Sequence, residues 1–273
     1  MGQKHPIRLV VTDLDGTLLN SKKEISPRFF RLMEYMRRQG IRLVAATGRQ
    51  HDDIAFRFGQ YADDLLCAGG NGTVLTDGGK VFLMRAAPKE SILRVIETVR
   101  PLQDVYPLLC GVDSVYLEDH APWFRHLVEI YCQSITPMPD ISAGFDNDRI
   151  FKIAIANRDD GIMARTAEML RPFEKEFDIL PSGDGWLDMV LRGASKGSAI
   201  DLIRERYGVS FEETAIFGDY LNDMSMMDRG YYSYAMKNAH PDIKAAARFV
   251  TEYTNEEDGV ARTLEKLLGV EDL

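Results

Sequence analysis

The chain has 273 residues, of which 45% are hydrophobic and 27% are charged. This length and balance are typical of a globular protein with one large domain or two smaller ones. The net charge of −9 argues against a general nucleic-acid binder, because phosphate backbones select basic surfaces. It does not exclude a small anionic substrate, since a metal ion and a few local cations can reverse the field inside one cleft.

Cysteine usage and the apolar runs bear on where the protein works. Cys67, Cys110 and Cys132 are odd in number and lack the spacing of metal ligands, so we expect reduced, mostly buried thiols. No apolar run is long enough to span a bilayer, and the first residues lack the apolar segment of a signal peptide. These features predict a cytoplasmic protein without a membrane partner.

The first 85 residues alternate between apolar strand patterns and amphipathic helix patterns. Ser26-Pro27 is a typical helix start, because the serine can cap the helix and proline fits its first turn. Gly40 is a typical helix end. In chain order we expect a strand at 7–11, a helix from Ser26 to Gly40, a strand at 41–46, a helix around 51–60 and a strand at 64–68.

The last third of the chain repeats this alternation. Ser195 caps a predicted helix that Gly208 ends. Strands alternating with helices indicate a parallel, doubly wound α/β sheet. We expect further strands at 214–217, near 232–236 and near 248–251, and helices near 240–247 and 257–268.

The middle of the chain has a different pattern, which predicts a second α+β module inserted into the first. The sequence therefore predicts a core domain at 1–85 and 191–273 and an inserted domain at 86–190. Within the insertion we expect helices at 88–102, 121–132 and 161–177, strands at 115–117, 150–156 and 186–191, and a loop at 134–149.

Two carboxylates follow the first predicted strand. Asp13 and Asp15 are one pleat apart and point to the same side, at the carboxyl end of a strand, where open α/β sheets bind their ligands. Like charges so close repel each other, and a hard divalent cation is suited to join carboxylate oxygens. By itself this pair has two interpretations: a site for a divalent cation, or a strand that ends in an Asp-rich turn.

Other polar side chains follow the neighbouring strands. Thr47 follows the second strand, and Lys196 opens the helix directly after the insertion. The strand at 214–217 leads into Asp219, Asn222 and Asp223. Because the carboxyl ends of parallel strands meet at one edge, we expect all these side chains to share one crevice.

Together these residues resemble the four ordered motifs of the haloacid dehalogenase-like phosphohydrolases. The motifs are Asp13-Leu14-Asp15-Gly16-Thr17, Thr47-Gly48-Arg49, Lys196 and Gly218-Asp219-Tyr220-Leu221-Asn222-Asp223. The large insertion after the second motif resembles the type-II cap group, and most closely the Cof-type, class IIB proteins. The resemblance implies a Rossmann-like doubly wound core with an α+β cap of the C2B type at 86–190.

The resemblance also implies a role for each motif residue. Asp13 would be the nucleophile that forms an aspartyl-phosphate, and Asp15 would act as acid toward the leaving oxygen and as base toward water. Arg49 has two interpretations: it binds distal groups of the substrate, or it covers the sheet edge. The phosphate would be bound by the Thr47 hydroxyl, the Lys196 ammonium and the backbone amides of Leu14, Gly48 and Asn222.

Mg²⁺ is the cofactor that the resemblance implies. It would be held by the Asp13 carboxylate, the Asp15 main-chain carbonyl and Asp219. Asp223 would either reach the metal through water or orient Lys196.

We therefore expect a Mg²⁺-dependent phosphatase of small phosphorylated metabolites, such as sugar phosphates or phosphorylated cofactors, acting as a monomer or homodimer. Two alternatives stay open: a phosphotransferase or phosphomutase of the same superfamily, and a catalytically silent regulatory protein that binds sugar phosphates. Specificity would lie in the cap, where no spacing marks a particular residue. The possible contacts are Asp113, Glu118, Trp123, Arg125, Asp184, Trp186 and Arg192.

Overall fold

The computed structural model describes residues 7–118, 121–143, 145, 148–182 and 185–270. Its strands form two sheets, one of eight strands and one of six. The first sheet contains β1 (Leu9–Thr12), β2 (Arg42–Ala46), β3 (Leu66–Gly69), β4 (Val74–Asp77), β5 (Lys80–Met84), β12 (Thr214–Gly218), β13 (Tyr232–Ala235) and β14 (Phe249–Val250). The second contains β6 (Tyr106–Gly111), β7 (Val115–Leu117), β8 (Ile135–Pro137), β9 (Ile150–Ala156), β10 (Phe177–Pro181) and β11 (Trp186–Leu191).

Eight α-helices of the described residues connect these strands. They are α1 (Pro27–Arg38), α2 (His51–Phe58), α3 (Lys89–Val99), α4 (Pro122–Tyr131), α5 (Asp160–Leu170), α6 (Lys196–Tyr207), α7 (Pro241–Ala246) and α8 (Gly259–Leu268). Each predicted helix is present, and its start lies within two residues of the predicted one.

The first sheet is parallel over six of its strands, which confirms the prediction of a doubly wound α/β fold. Its order is β14-β13-β12-β1-β2-β3-β4-β5, and every pair from β14 to β3 is parallel. The alternation does not predict β4 and β5, which form an antiparallel hairpin at one edge. Gly78 and Gly79, with φ of 52° and 74°, form its two-residue turn, where both central residues need positive φ.

Local sequence explains how the helices of the first sheet begin and pack. The Ser26 hydroxyl accepts a hydrogen bond from the Phe29 amide, and Pro27 occupies the first turn of α1. Ser195 and Ser198 form a reciprocal capping box at the start of α6. The buried face of α1 joins β1, which is buried along its whole length, in one core cluster.

The second sheet has a helical face and a face toward the first sheet. Its order is β10-β11-β9-β6-β7-β8. On one face Ile153 and Met189 pack with residues of α3 and α5 in a separate core cluster. On the other face Leu108, Ala154 and Trp186 line a cleft whose opposite wall is the carboxyl edge of the first sheet. The sheet therefore forms a roof over that edge.

The insertion contains the main errors of the sequence prediction. The helix predicted at 161–177 is wrong beyond Leu170, where a 3-10 segment at Arg171–Lys175 follows and β10 begins at Phe177. Pro172 lacks the amide that would continue the α-helix, and the antiparallel pairing of β10 with β11 is a long-range contact. β6 and β8 were also not predicted, and β8 lies inside the predicted loop at 134–149.

Within the residues that the structure describes, no helix combines the length and apolarity needed to cross a membrane. Cys67, Cys110 and Cys132 are free, and the first two are buried.

Replacing Ser26 with alanine should lower the free energy of unfolding by about 1 kcal/mol, because the Phe29 amide loses its acceptor at the start of α1. Urea unfolding monitored by circular dichroism measures the change. The matched Ser26→Asp variant keeps an acceptor and should retain the stability. An alanine variant as stable as the parent would show that this cap contributes nothing.

Candidate active site

The carboxyl edge of the first sheet brings most of the predicted site residues together. They line a cleft of about 620 Å³ between the two sheets. Lys196 and Asp223 are fully buried and lie behind Asp13, away from this cleft surface. The predicted residues on the cleft surface are Asp13, Asp15, Thr47, Gly48, Arg49, Asp219 and Asn222.

Lys196 holds two carboxylates at the base of the site. Its Nζ donates hydrogen bonds to Asp13 Oδ1 at 2.5 Å and to Asp223 Oδ1 at 2.6 Å. Burial lowers the pKa of Lys196, but the charges of Asp13 and Asp223 outweigh burial and raise it, so the ammonium stays charged. Asp13 Oδ2 accepts no hydrogen bond within the described part of the chain, and Asp13 lines the cleft.

Three carboxylates crowd together at this point. Oxygens of Asp13, Asp219 and Asp223 lie within 4.8 Å of one another. Burial, and then the charges of Asp223 and Asp219, raise the pKa of Asp13 well above its usual range against the opposing effect of Lys196. Burial and the charge of Asp223 raise the pKa of Asp219 to about 7. One ammonium does not balance these three anions, so the cluster favours a further cation.

The environment of Asp223 favours one of its two interpretations. Its Oδ1 binds Lys196, and its Oδ2 accepts hydrogen bonds from the backbone amides of Asp219 at 2.8 Å and Tyr220 at 3.1 Å. Both oxygens are therefore occupied. Asp223 is suited to orient Lys196 and the chain at Asp219 rather than to bind a metal directly.

Asp15 is held by two cations. The Arg49 guanidinium binds it in bidentate fashion, with Nε to Oδ2 at 2.6 Å and Nη2 to Oδ1 at 2.8 Å, and Lys23 Nζ reaches Oδ1 at 2.8 Å. Burial raises the pKa of Asp15, but the hydrogen bonds and charges of Arg49 and Lys23 outweigh it and lower the pKa to about 2. Asp15 is therefore a carboxylate in this structure.

Arg49 has both a structural contact and a position at the cleft. Its Nη1 donates to Asp53 Oδ2 at 2.6 Å, and its guanidinium lies over the Tyr131 ring at 4.8 Å. Asp53 in turn binds Arg57. The two interpretations of Arg49 are thus compatible, because it anchors α2 and also faces the space above Asp15.

The remaining phosphate-binding candidates have defined contacts. Thr47 Oγ1 accepts a hydrogen bond from the Arg49 amide at 3.2 Å. Asn222 Nδ2 donates to Asn71 Oδ1 at 3.2 Å, and Asn71 has a left-handed backbone with φ of 56°. The Leu14 side chain is buried in the core, so its backbone amide is the group that could serve a ligand.

The sequence interpretation missed four charged residues of the cleft: Lys23, Lys152, Asp188 and Glu256. Lys152 is the single charged residue of β9, and Asp188 is the single charged residue of β11. A lone charge inside an apolar strand was the available signal. No such signal marks Lys23, because its sequence neighbours are polar.

Among the cap contacts proposed from sequence, Trp186 lines the cleft, and the other five that the structure describes do not. Glu118 instead pairs with Arg100 at the surface, and Arg125 pairs with Glu129. Asp184 lies outside the described residues.

Comparison with known proteins agrees with this geometry. The family model of haloacid dehalogenase-like hydrolases matches residues 10–264. The chain is 28% identical over 269 residues to a 5-amino-6-(5-phospho-D-ribitylamino)uracil phosphatase of Escherichia coli, across 96% of both chains. The crystal structure of SMU.1108c from Streptococcus mutans matches with a TM-score of 0.90 and 24% identity, over 96% of this chain and 99% of that one.

A sugar phosphatase of haloacid dehalogenase subclass IIB, BT4131, shares the fold with a TM-score of 0.82 and 22% identity, over 97% of this chain and 100% of that one. The chain therefore belongs to the haloacid dehalogenase-like hydrolase family. It is an enzyme of the phosphatase type within that family. The resemblance and the fold class predicted from the motifs are confirmed.

Replacing Lys196 with methionine should lower the free energy of unfolding by about 3–5 kcal/mol at pH 7 without added metal, because Asp13 and Asp223 lose their shared partner. Urea unfolding measures the loss. Adding Asp13→Asn to this variant should recover part of the stability, since one uncompensated charge is removed. The exposed Lys22→Met is the matched control, and an equal effect of both single substitutions would contradict the assignment.

Proposed function

We propose that the chain hydrolyses small phosphate monoesters through an aspartyl-phosphate on Asp13, and does so with Mg²⁺. One observation carries this proposal: the buried Asp13 carboxyl lines the cleft, is fixed by Lys196 through Oδ1, and accepts at Oδ2 no hydrogen bond from the described residues. In-line phosphoryl transfer depends on positioning of the nucleophile and on neutralisation of the phosphate charge.

The proposed reaction has two steps. In the first, an Asp13 oxygen bonds to phosphorus while the bond from phosphorus to the leaving oxygen breaks, and Asp15 gives that oxygen its proton. In the second, a water oxygen bonds to the phosphorus and gives a proton to Asp15 while the bond between phosphorus and the Asp13 oxygen breaks. Inorganic phosphate leaves, and both carboxyl groups are restored. The Thr47 hydroxyl and the amides of Leu14, Gly48 and Asn222 would bind the phosphate oxygens.

The first step needs Asp15 to leave its two cations. A phosphate dianion entering the cleft offers Arg49 and Lys23 a competing anion of higher charge. We propose that substrate binding draws both side chains away from Asp15, which lets that carboxyl accept a proton. Arg49 then contacts the substrate, as one interpretation of the sequence predicts.

Mg²⁺ fits the residues present. The crowded carboxylates of Asp13 and Asp219 are hard oxygen donors with raised pKa values, so a dication relieves their repulsion. The Asp15 carbonyl would be a third ligand, and Asp223 would support Lys196. When bound, the ion would neutralise charge on the phosphate oxygens.

The second sheet would serve as the cap, and we propose residues 86–190 as the cap domain and 1–85 with 191–273 as the core. A cleft of about 620 Å³ has the size of a small-molecule site. One relative is a 5-amino-6-(5-phospho-D-ribitylamino)uracil phosphatase, so phosphorylated ribityl compounds are one candidate class, beside the sugar phosphates and phosphorylated cofactors that the resemblance implies. The cytoplasmic location and the oligomeric state stay predictions.

A panel of phosphorylated sugars, cofactors and a ribitylaminouracil phosphate tests the proposal by release of inorganic phosphate. We expect Mg²⁺-dependent release that EDTA or Asp13→Asn abolishes, and a decrease of about 10²–10⁴-fold for Asp15→Asn, the usual range for acid–base help. Asp242→Asn, at an exposed carboxylate of α7, is the matched control. Hydrolysis retained by Asp13→Asn would sink the assigned nucleophile. Tight binding without release would favour a silent regulatory protein.

Binding of Mg²⁺ should weaken as the pH falls. With a pKa of about 7, the Asp219 carboxyl is largely ionised at pH 8 and largely protonated at pH 6, and the ion must displace its proton. The apparent affinity should therefore fall at least about tenfold between these values. Calorimetric titration measures it, and Asp219→Asn should bind weakly at both. An affinity that does not change over this range would contradict the assignment.

A further inference from the structure

The roof of the cleft contains a buried ion pair that the proposed reaction does not use. Lys152 on β9 and Asp188 on β11 are 9% and 2% exposed, and Lys152 Nζ lies 3.2 Å from Asp188 Oδ2. The antiparallel register places Asp188 opposite Ala154, two residues from Lys152, so both side chains are on the face toward the cleft.

The two oxygens of Asp188 have different surroundings. Oδ2 accepts three hydrogen bonds: from Lys152, from Ser182 Oγ at 2.8 Å and from Asn71 Nδ2 at 2.9 Å. Oδ1 accepts none from the residues that the structure describes, although the carboxylate lines the cleft. Oδ1 is accessible to solvent at the cleft, so water can satisfy it in the free protein and a donor group of a bound molecule can take the place of that water.

The ion pair is tied to the loops that carry the motif residues. Lys152 Nζ donates to the Gly48 carbonyl at 3.0 Å. Asn71, the partner of Asp188, also accepts a hydrogen bond from Asn222. Burial lowers the pKa of Lys152, but the charge of Asp188 outweighs it and raises the pKa to about 12, so the Lys152 ammonium stays charged. The free oxygen is thus fixed relative to the predicted phosphate-binding groups.

The rest of this roof is largely apolar. Leu108, Ala154 and Trp186 line the cleft beside the pair. A hydroxyl or N–H group against these side chains would lose its hydrogen bonds to water, whereas at Asp188 it meets an ionised acceptor. This roof therefore has one hydrogen-bond acceptor among apolar side chains, and it can distinguish leaving groups that carry a donor from those that do not.

We propose that Asp188 is a specificity-determining residue, whose free oxygen accepts a hydrogen bond from a hydroxyl or N–H group of the leaving group. Lys152 and Asn71 hold the carboxylate in place for this contact. The inference rests on the proposed phosphatase function and deepens it. It selects polyol, sugar or amide-bearing esters over aryl esters without a donor.

The test compares two substrates in the same protein sample. One is the panel compound with a hydroxyl-bearing leaving group that is hydrolysed best, and the other is p-nitrophenyl phosphate, whose leaving group carries no donor. In Asp188→Asn, kcat/KM for the hydroxyl-bearing compound should fall about 10–100-fold more than kcat/KM for p-nitrophenyl phosphate, as for loss of a hydrogen bond to a charged group. Unfolded protein in the sample lowers both kcat/KM values by the same factor, so it does not change their ratio.

Two further variants complete the test. Asp178→Asn on the neighbouring strand is the matched control, because its carboxylate accepts a hydrogen bond from the Gly193 amide and does not line the cleft; it should leave the ratio unchanged. Asp188→Glu, which keeps the charge but moves the oxygen, should change the ratio in the same direction as Asp188→Asn.

Each outcome decides between the proposals. Equal losses for both substrates would overturn the inference and leave Asp188 as a residue that only positions the cap. An unchanged ratio without any loss would also overturn it. If the parent protein hydrolyses neither compound and nothing else in the panel, the phosphatase proposal itself fails.

Discussion

The burial of Lys196 between Asp13 and Asp223 is the interaction on which the site depends. A buried charge without a partner costs several kcal/mol, so each of the three groups requires the other two. Asp223 extends the constraint to the backbone at Asp219 and Tyr220. One ion cluster thereby fixes the ends of β1 and β12 and the start of α6 relative to one another.

Close backbone packing supports this cluster. A Cβ at Gly197 would lie 1.9 Å from the Ser225 carbonyl oxygen, and a Cβ at Gly72 would lie 2.2 Å from that of Ser195. Glycine at these two positions lets the first turn of α6 approach the neighbouring segments closely. Lys196, which directly precedes Gly197, can then reach both carboxylates, and a displacement of about one ångström would break its short hydrogen bonds.

The roof rests on the core through apolar and polar contacts, and Val74 of the first sheet lies in one apolar cluster with Leu108 and Phe151 of the second. Lys152 binds the Gly48 carbonyl, Asn71 binds Asp188, and Gln50 donates to the Gly111 carbonyl at 3.0 Å. Both kinds of contact hold the second sheet over the carboxyl edge of the first, beside the motif residues.

The sequence by itself determined the parallel core and the positions of its motif residues. Local signals were sufficient there: apolar strands, the caps at Ser26 and Ser195, and polar residues placed directly after strands. Since parallel strands share their carboxyl edge, the gathering of Asp13, Thr47 and Asp219 in one cleft followed from their order in the chain.

Only the tertiary structure decided the contacts that join distant segments. The sequence predicts a helix that continues into the segment of β10. Its true partner is β11, because cross-strand partners are set by long-range packing and not by local propensity. The same holds for Asp15: the family resemblance implies a proton donor, whereas Arg49 and Lys23 hold it as an anion in the structure. The roles of Lys152 and Asp188 also depend on the tertiary structure. Each is a single charge in an apolar strand, and only folding brings the two together as an ion pair.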